Sequence, residues 1–126
     1  MSMNYKIEKY TLKSGRERIK IVFDDDKYLL LSTFLQGDVL SFAEWIKKDF
    51  EKVISGECEI AEFVGNICFV QITPLVTRIY NSLIEDEEEY QASCCEVDTK
   101  ALIMLIQEWC DIAKNKKETG VPWINT

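Results

Sequence analysis

Residues 41–56 carry the pattern that most restricts the fold. Ser41-Phe42-Ala43-Glu44 matches a capping box, in which the serine hydroxyl and the glutamate carboxylate satisfy reciprocal backbone N–H groups. Behind it Phe42, Trp45, Ile46, Phe50, Val53 and Ile54 recur at helical spacing, separated by Lys47, Lys48, Glu51 and Lys52. Gly56 supplies the stop. The spacing predicts an amphipathic helix over about 41–55, with Trp45 on its apolar stripe. A stripe of this kind has to be buried against another element, and the flanking segments have strand character.

Residues 5–12 alternate loosely and predict an edge strand, Ser14-Gly15 a turn, and Ile19, Ile21 and Phe23 a half-buried strand. Residues 28–35 form a continuous apolar run and read as a central strand. After the helix, residues 58–64 and 67–73 flank Gly65-Asn66, a two-residue hairpin signal. A change of phase at Ile60-Ala61 suggests a β-bulge. Pro74 ends that strand, residues 75–84 predict another, and residues 90–96 a short further one. Asp98 or Thr99 then caps a long C-terminal helix over about 99–116, with Leu102, Leu105, Ile106, Trp109 and Ile112 on its buried side. Strands, helix, strands, helix is an α+β arrangement: an antiparallel sheet with two helices on one face. The 126 residues suit one globular domain, 1–126, whose apolar tail (117–126, with Val121-Pro122-Trp123-Ile124) packs back on it.

Charge is distributed unevenly. The chain carries −7 overall, yet residues 1–20 hold six bases and two acids. From Glu57 to Asp98 ten acids face a single base, Arg78. Five of the ten are consecutive, Glu85-Asp86-Glu87-Glu88-Glu89, in what reads as a loop at a sheet end. Glu57 and Glu59 share a face if strand 57–64 is regular, and the bulge would turn Glu62 towards it. An acidic body repels nucleic-acid phosphates and anionic membranes, so a basic protein is the partner it suits.

Little chemistry is encoded. The chain has no histidine, which removes Ser-His-Asp and Cys-His nucleophile pairs, and it has no glycine-rich phosphate cradle. Asp24-Asp25-Asp26 and the 85–89 run supply oxygen ligands, but consecutive residues in a turn rarely converge on one cation. No catalytic residue, metal or cofactor is expected. Five cysteines (Cys58, Cys68, Cys94, Cys95, Cys110) follow no disulfide spacing; Cys58, Cys68 and Cys110 read as small core residues in a reducing cytoplasm. The start of the chain lacks the apolar stretch of a secretory signal, and no apolar run matches a membrane span.

This small, acidic, histidine-free α+β chain resembles the immunity proteins of bacterial toxin–immunity systems, above all those paired with contact-dependent growth inhibition and related polymorphic toxins. The strands, the helix of residues 41–56, the Gly65-Asn66 hairpin and the C-terminal Trp109-Cys110-Asp111-Ile112-Ala113-Lys114 carry that resemblance. It implies a cytosolic, non-enzymatic inhibitor, monomeric or weakly dimeric, that binds a cognate basic nuclease toxin. Glu85, Asp86, Glu87, Glu88 and Glu89 would centre the toxin-binding surface, supported by Glu57, Glu59 and Glu62. A secretion chaperone is the alternative binding module, although such a chaperone would lead with a helix rather than strands.

Overall fold

The computed structural model describes residues 4–118, with side chains described through residue 113. Two antiparallel strands open the chain, β1 (Tyr5–Thr11) and β2 (Glu17–Phe23), joined by a turn in which Gly15 has φ +88°. A helical segment follows: a single 3-10 turn at Asp26–Tyr28, α1 (Leu29–Phe34), a π-helical turn at Leu35–Val39, and α2 (Leu40–Ile54). Then come β3 (Ala61–Val64), β4 (Cys68–Ile72), β5 (Val76–Asn81), α3 (Glu87–Ala92), β6 (Cys95–Asp98) and α4 (Thr99–Glu118). The fold is α+β. Its strands form two antiparallel sheets, the β1–β2 ribbon and a four-stranded meander in the order β3-β4-β5-β6.

The meander buries one face. Phe63, Cys68, Val70, Ile72, Ile79, Cys95 and Val97 alternate inward. Against them lie Leu31, Phe34 and Leu35, then Ile46, Phe50 and Val53 of α2, and Leu102, Leu105, Ile106 and Trp109 of α4. The Trp109 indole N–H donates to the Leu35 carbonyl at 2.7 Å, so the largest core side chain is also hydrogen-bonded. The ribbon is tied to the helices through Ile21, whose N–H donates to Gln36 Oε1 (2.8 Å) and whose carbonyl accepts from Ser32 Oγ (2.6 Å).

Several expectations need correction. Residues 28–35 are helical, not a central strand. Tyr28, Leu31, Phe34 and Leu35 are buried at helical spacing while Leu29 and Thr33 are exposed, but the apolar Leu29 and Leu30 between them hide that period in the sequence, so strand and helix look alike in it. Ser41 does not cap a helix: the chain enters α2 helically from Val39, and no side chain makes a cap hydrogen bond at its start. The strand before the hairpin starts only at Ala61, so the phase change at 60–61 marks its beginning and not a bulge. Residues 87–92 are helical, and the following strand covers Cys95–Asp98 rather than 90–96.

Trp45 is 65% exposed, against the expected core position. Phe42 leaves helical geometry (φ −128°, ψ 28°), and Trp45 stacks on it at 6.1 Å instead of turning inward with Ile46. Cys58 and Cys110 are half-buried, while Cys68 is fully buried. Other readings hold: Gly56 has φ +84° just past α2, and the Asp98 carboxylate accepts from the Ala101 N–H at 2.9 Å at the start of α4. The apolar tail at 121–124 lies outside the described residues.

The hairpin turn is one residue later than Gly65-Asn66. Gly65 N–H donates to the Cys68 carbonyl at 2.9 Å, which leaves Asn66-Ile67 as the loop. Neither loop residue has positive φ, so this is not one of the primed turns. Asp38 compensates. From the π-helical turn its carboxylate accepts from Asn66 N–H (2.9 Å), Ile67 N–H (3.2 Å) and Cys68 N–H (2.9 Å).

Candidate functional site: the outer face of the meander

The second face of the meander is left largely uncovered. Cross-strand register sets two rows on it. One runs Glu62, Gln71, Arg78, Glu96; the other runs Val64, Phe69, Tyr80. Their rings are in contact: Phe69 and Tyr80 have centroids 6.0 Å apart, and Tyr90 of α3 stacks on Tyr80 at 5.2 Å with planes 16° apart. Helix α3 is held against this outer face by that aromatic pair and by the Asn81 N–H donating to Ser93 Oγ at 3.0 Å, while the buried side chains of α1, α2 and α4 pack on the inner one.

The acidic run forms the entry and first turn of α3, not a loop. Asp86 is the N-cap, its carboxylate accepting from the Glu89 N–H at 3.0 Å. Glu87, Glu88 and Glu89 fill the first turn, where the helix dipole favours negative charge by about 0.3–1 kcal/mol each. Glu85 to Glu89 are all exposed, and no ion pair among the described residues involves them.

The other predicted acids divide. Glu62 is exposed on the outer face of β3, near enough to Tyr90 to act on its phenol. Glu57 and Glu59 lie in the segment leading to Ala61, the end of β3 away from the hairpin, whereas α3 follows Asn81 at the hairpin end. Glu57 borders a shallow depression with Lys48 and Lys52. The structure therefore brings Glu62 to the run and leaves Glu57 and Glu59 at the opposite end.

The tyrosines report the local field. Burial first, then Glu87, Cys94 and Glu62, raise the Tyr90 phenol above its ordinary range. Burial, the hydrogen-bonded Cys94 thiol and the Tyr90 ring raise Tyr80, and Arg78 opposes the rise. Arg78 is engaged by Glu96, Nε to Oε2 at 2.9 Å.

Over 89 residues the chain is 33% identical to a curated Bacillus cereus protein named "Immunity protein", a match spanning 71% of this chain and 74% of that one. The chain belongs to the immunity-protein family. No family model matches it, and no solved structure matches it.

The outer surface of this immunity protein's meander sets aromatic rings beside Glu62 and the 85–89 carboxylates, which enter no ion pair among the described residues. Among its described residues no group of three cysteine or acidic side chains is placed to hold a metal ion, and no helix is long and apolar enough to cross a membrane. Sequence reasoning missed Phe69, Tyr80 and Tyr90 as members of this surface. For Phe69 and Tyr80 the signal was the strict alternation in β4 and β5, which assigns every second residue to the uncovered side, whereas Tyr90 joins them only through the placement of α3.

Proposed function

We propose that this immunity protein is a non-enzymatic, cytoplasmic inhibitor that binds and neutralises a cognate toxin. The toxin is a basic nuclease domain, acting on tRNA or other RNA, of a contact-dependent or related polymorphic toxin system. Glu85, Asp86, Glu87, Glu88 and Glu89 centre the contact, and Glu62 extends it across the sheet. Glu57 and Glu59 contribute only to the long-range field.

The observation that carries this reading is the exposed, unpaired five-carboxylate run. The α3 dipole accounts for a few of these charges, but it does not require five in succession. Like charges so close repel one another, and that cost is recovered when a cationic surface approaches. A nuclease must display cations where it holds phosphates, and a row of carboxylates competes for the same cations. Encounter is then steered by charge, while a desolvated centre keeps dissociation slow.

Co-expression tests the reading. Cells producing the cognate toxin domain should survive when they also make the immunity protein. They should die when residues 85–89 are all alanine. Equal protection by the alanine variant would rule out the run as the contact centre.

A further inference from the structure

The acidic run explains attraction but not how a partner would be held once it arrives. Three half-buried rings lie beside it: Phe69, Tyr80 and Tyr90 form one contiguous patch on the uncovered sheet face. Their mutual stacking restricts each ring before any partner binds, so little conformational entropy remains to be lost. Two acids flank the patch. Glu62 lies in the neighbouring row on β3, and Glu87 lies one helical turn before Tyr90 on α3.

The base on this face does not neutralise that pair. Arg78 is already bonded to Glu96 at 2.9 Å. From Glu62 it is separated by two strand spacings, roughly 10 Å, which is about one Debye length at physiological salt. The patch therefore sets half-buried aromatic rings beside carboxylates that no ion pair among the described residues engages, Glu87 accepting only from the Gln91 side-chain amide at 3.2 Å.

We propose that this face seats an arginine-bearing segment of the protein partner, guanidinium groups lying on Tyr80 and Tyr90 and pairing with Glu62 and Glu87. A guanidinium is planar, stacks on aromatic faces and forks onto a carboxylate, so it satisfies both halves of the patch at once. An ammonium group pairs with the acids but gains less from the rings. The inference rests on the reading of this chain as an inhibitor of a basic protein, and it names the contact chemistry of that inhibitor.

The test is a titration of isotope-labelled protein, followed by NMR, with three matched nonapeptides of glycine and serine carrying three arginines, three lysines or three glutamates. The arginine peptide should shift the amides of Glu62, Phe69, Gln71, Tyr80 and Tyr90 and bind about fivefold more tightly than the lysine peptide. The glutamate peptide should leave them unmoved. Y80L and Y90L keep apolar bulk, and denaturant melts would verify that both fold. Each should abolish the preference for arginine while leaving lysine binding intact.

Equal binding of the arginine and lysine peptides, still lost when 85–89 are alanine, overturns the aromatic seat and leaves the acidic reading standing. Shifts that ignore both sets of substitutions, or that gather at Asp24–Asp26, overturn both. Y80L and Y90L variants that fold yet keep the arginine preference also overturn the seat.

Discussion

A Cβ on Gly65 would fall 2.4 Å from the carboxyl carbon of Asp38, so the carboxylate fills the space that any side chain at position 65 needs. The two residues are 27 positions apart in the chain and are fitted to each other at the hairpin turn. Asp38 is 1% exposed and accepts three backbone N–H groups there. A buried carboxylate so bonded is stable, and without it three N–H groups lose their acceptor.

The first prediction concerns this pair. D38A should destabilise the protein by about 3 kcal/mol, because buried donors are left unsatisfied. G65A should cost about 1–3 kcal/mol through overpacking against Asp38. Urea denaturation checks both. The double variant should cost less than the sum, since removing the carboxylate also removes the clash.

A second prediction concerns the other long-range tie. W109F retains most of the ring but deletes the N–H that donates to the Leu35 carbonyl at 2.7 Å. Leu35 is fully buried and Trp109 nearly so, which shields the carbonyl from water. The loss should be about 1–3 kcal/mol from the orphaned acceptor, with a further cost for the vacated volume. W45F, at an exposed site, should change stability by less than about 0.5 kcal/mol.

Alkaline pH should act through Tyr5. Burial, then the hydrogen bond to Glu108, push its phenol from 10.0 up to about 12. A raised folded-state value means that the folded protein holds the proton more tightly than the unfolded chain. The resulting stabilisation is complete below pH 10 and is lost as pH rises towards about 12. E108Q should bring the Tyr5 titration down and lessen this alkaline loss. Ultraviolet titration of tyrosinate, paired with melts at each pH, would show both effects.

The thiols should sort by burial. Burial, then the Asp38 charge, raise Cys68 to about 12, and burial, then Cys94, raise Cys95 to about 11. Thiolate is the reactive form, so neither should react with a colorimetric disulfide reagent at neutral pH in the native protein. Cys58, Cys94 and Cys110 are half-buried and should account for native labelling, with Cys110 slowed by its own burial. Adding urea should release Cys68 and Cys95 together.

Periodicity made much of this fold legible. The α2 stripe, the Gly56 stop, the alternation of β2 and the Asp98 cap of α4 are local patterns with local causes, and each was readable in the chain. Residues 28–35 were not, because the exposed side of that helix carries Leu29 and so does not contrast with the buried Tyr28, Leu31, Phe34 and Leu35. Asp86 was overlooked as a cap for a different reason. Asp86-x-x-Glu89 is an N-terminal signature, but its meaning was hidden within a run that reads as charge alone. The aromatic patch required three elements at once: Phe69, Tyr80 and Tyr90 become neighbours only through strand register and the placement of α3. Asp38 stood out only as one acid in an apolar helical stretch, and nothing local pointed to a hairpin 27 residues later.

The central claim is that charge at 85–89 brings a basic toxin to this surface. The direct measurement is the association rate of the immunity protein with its cognate toxin domain, taken over a range of ionic strength for the native chain and for the 85–89 alanine variant. The native rate should exceed the variant's by 10-fold or more at low salt, and the two should converge as salt rises. Equal rates with the same salt dependence would contradict the account.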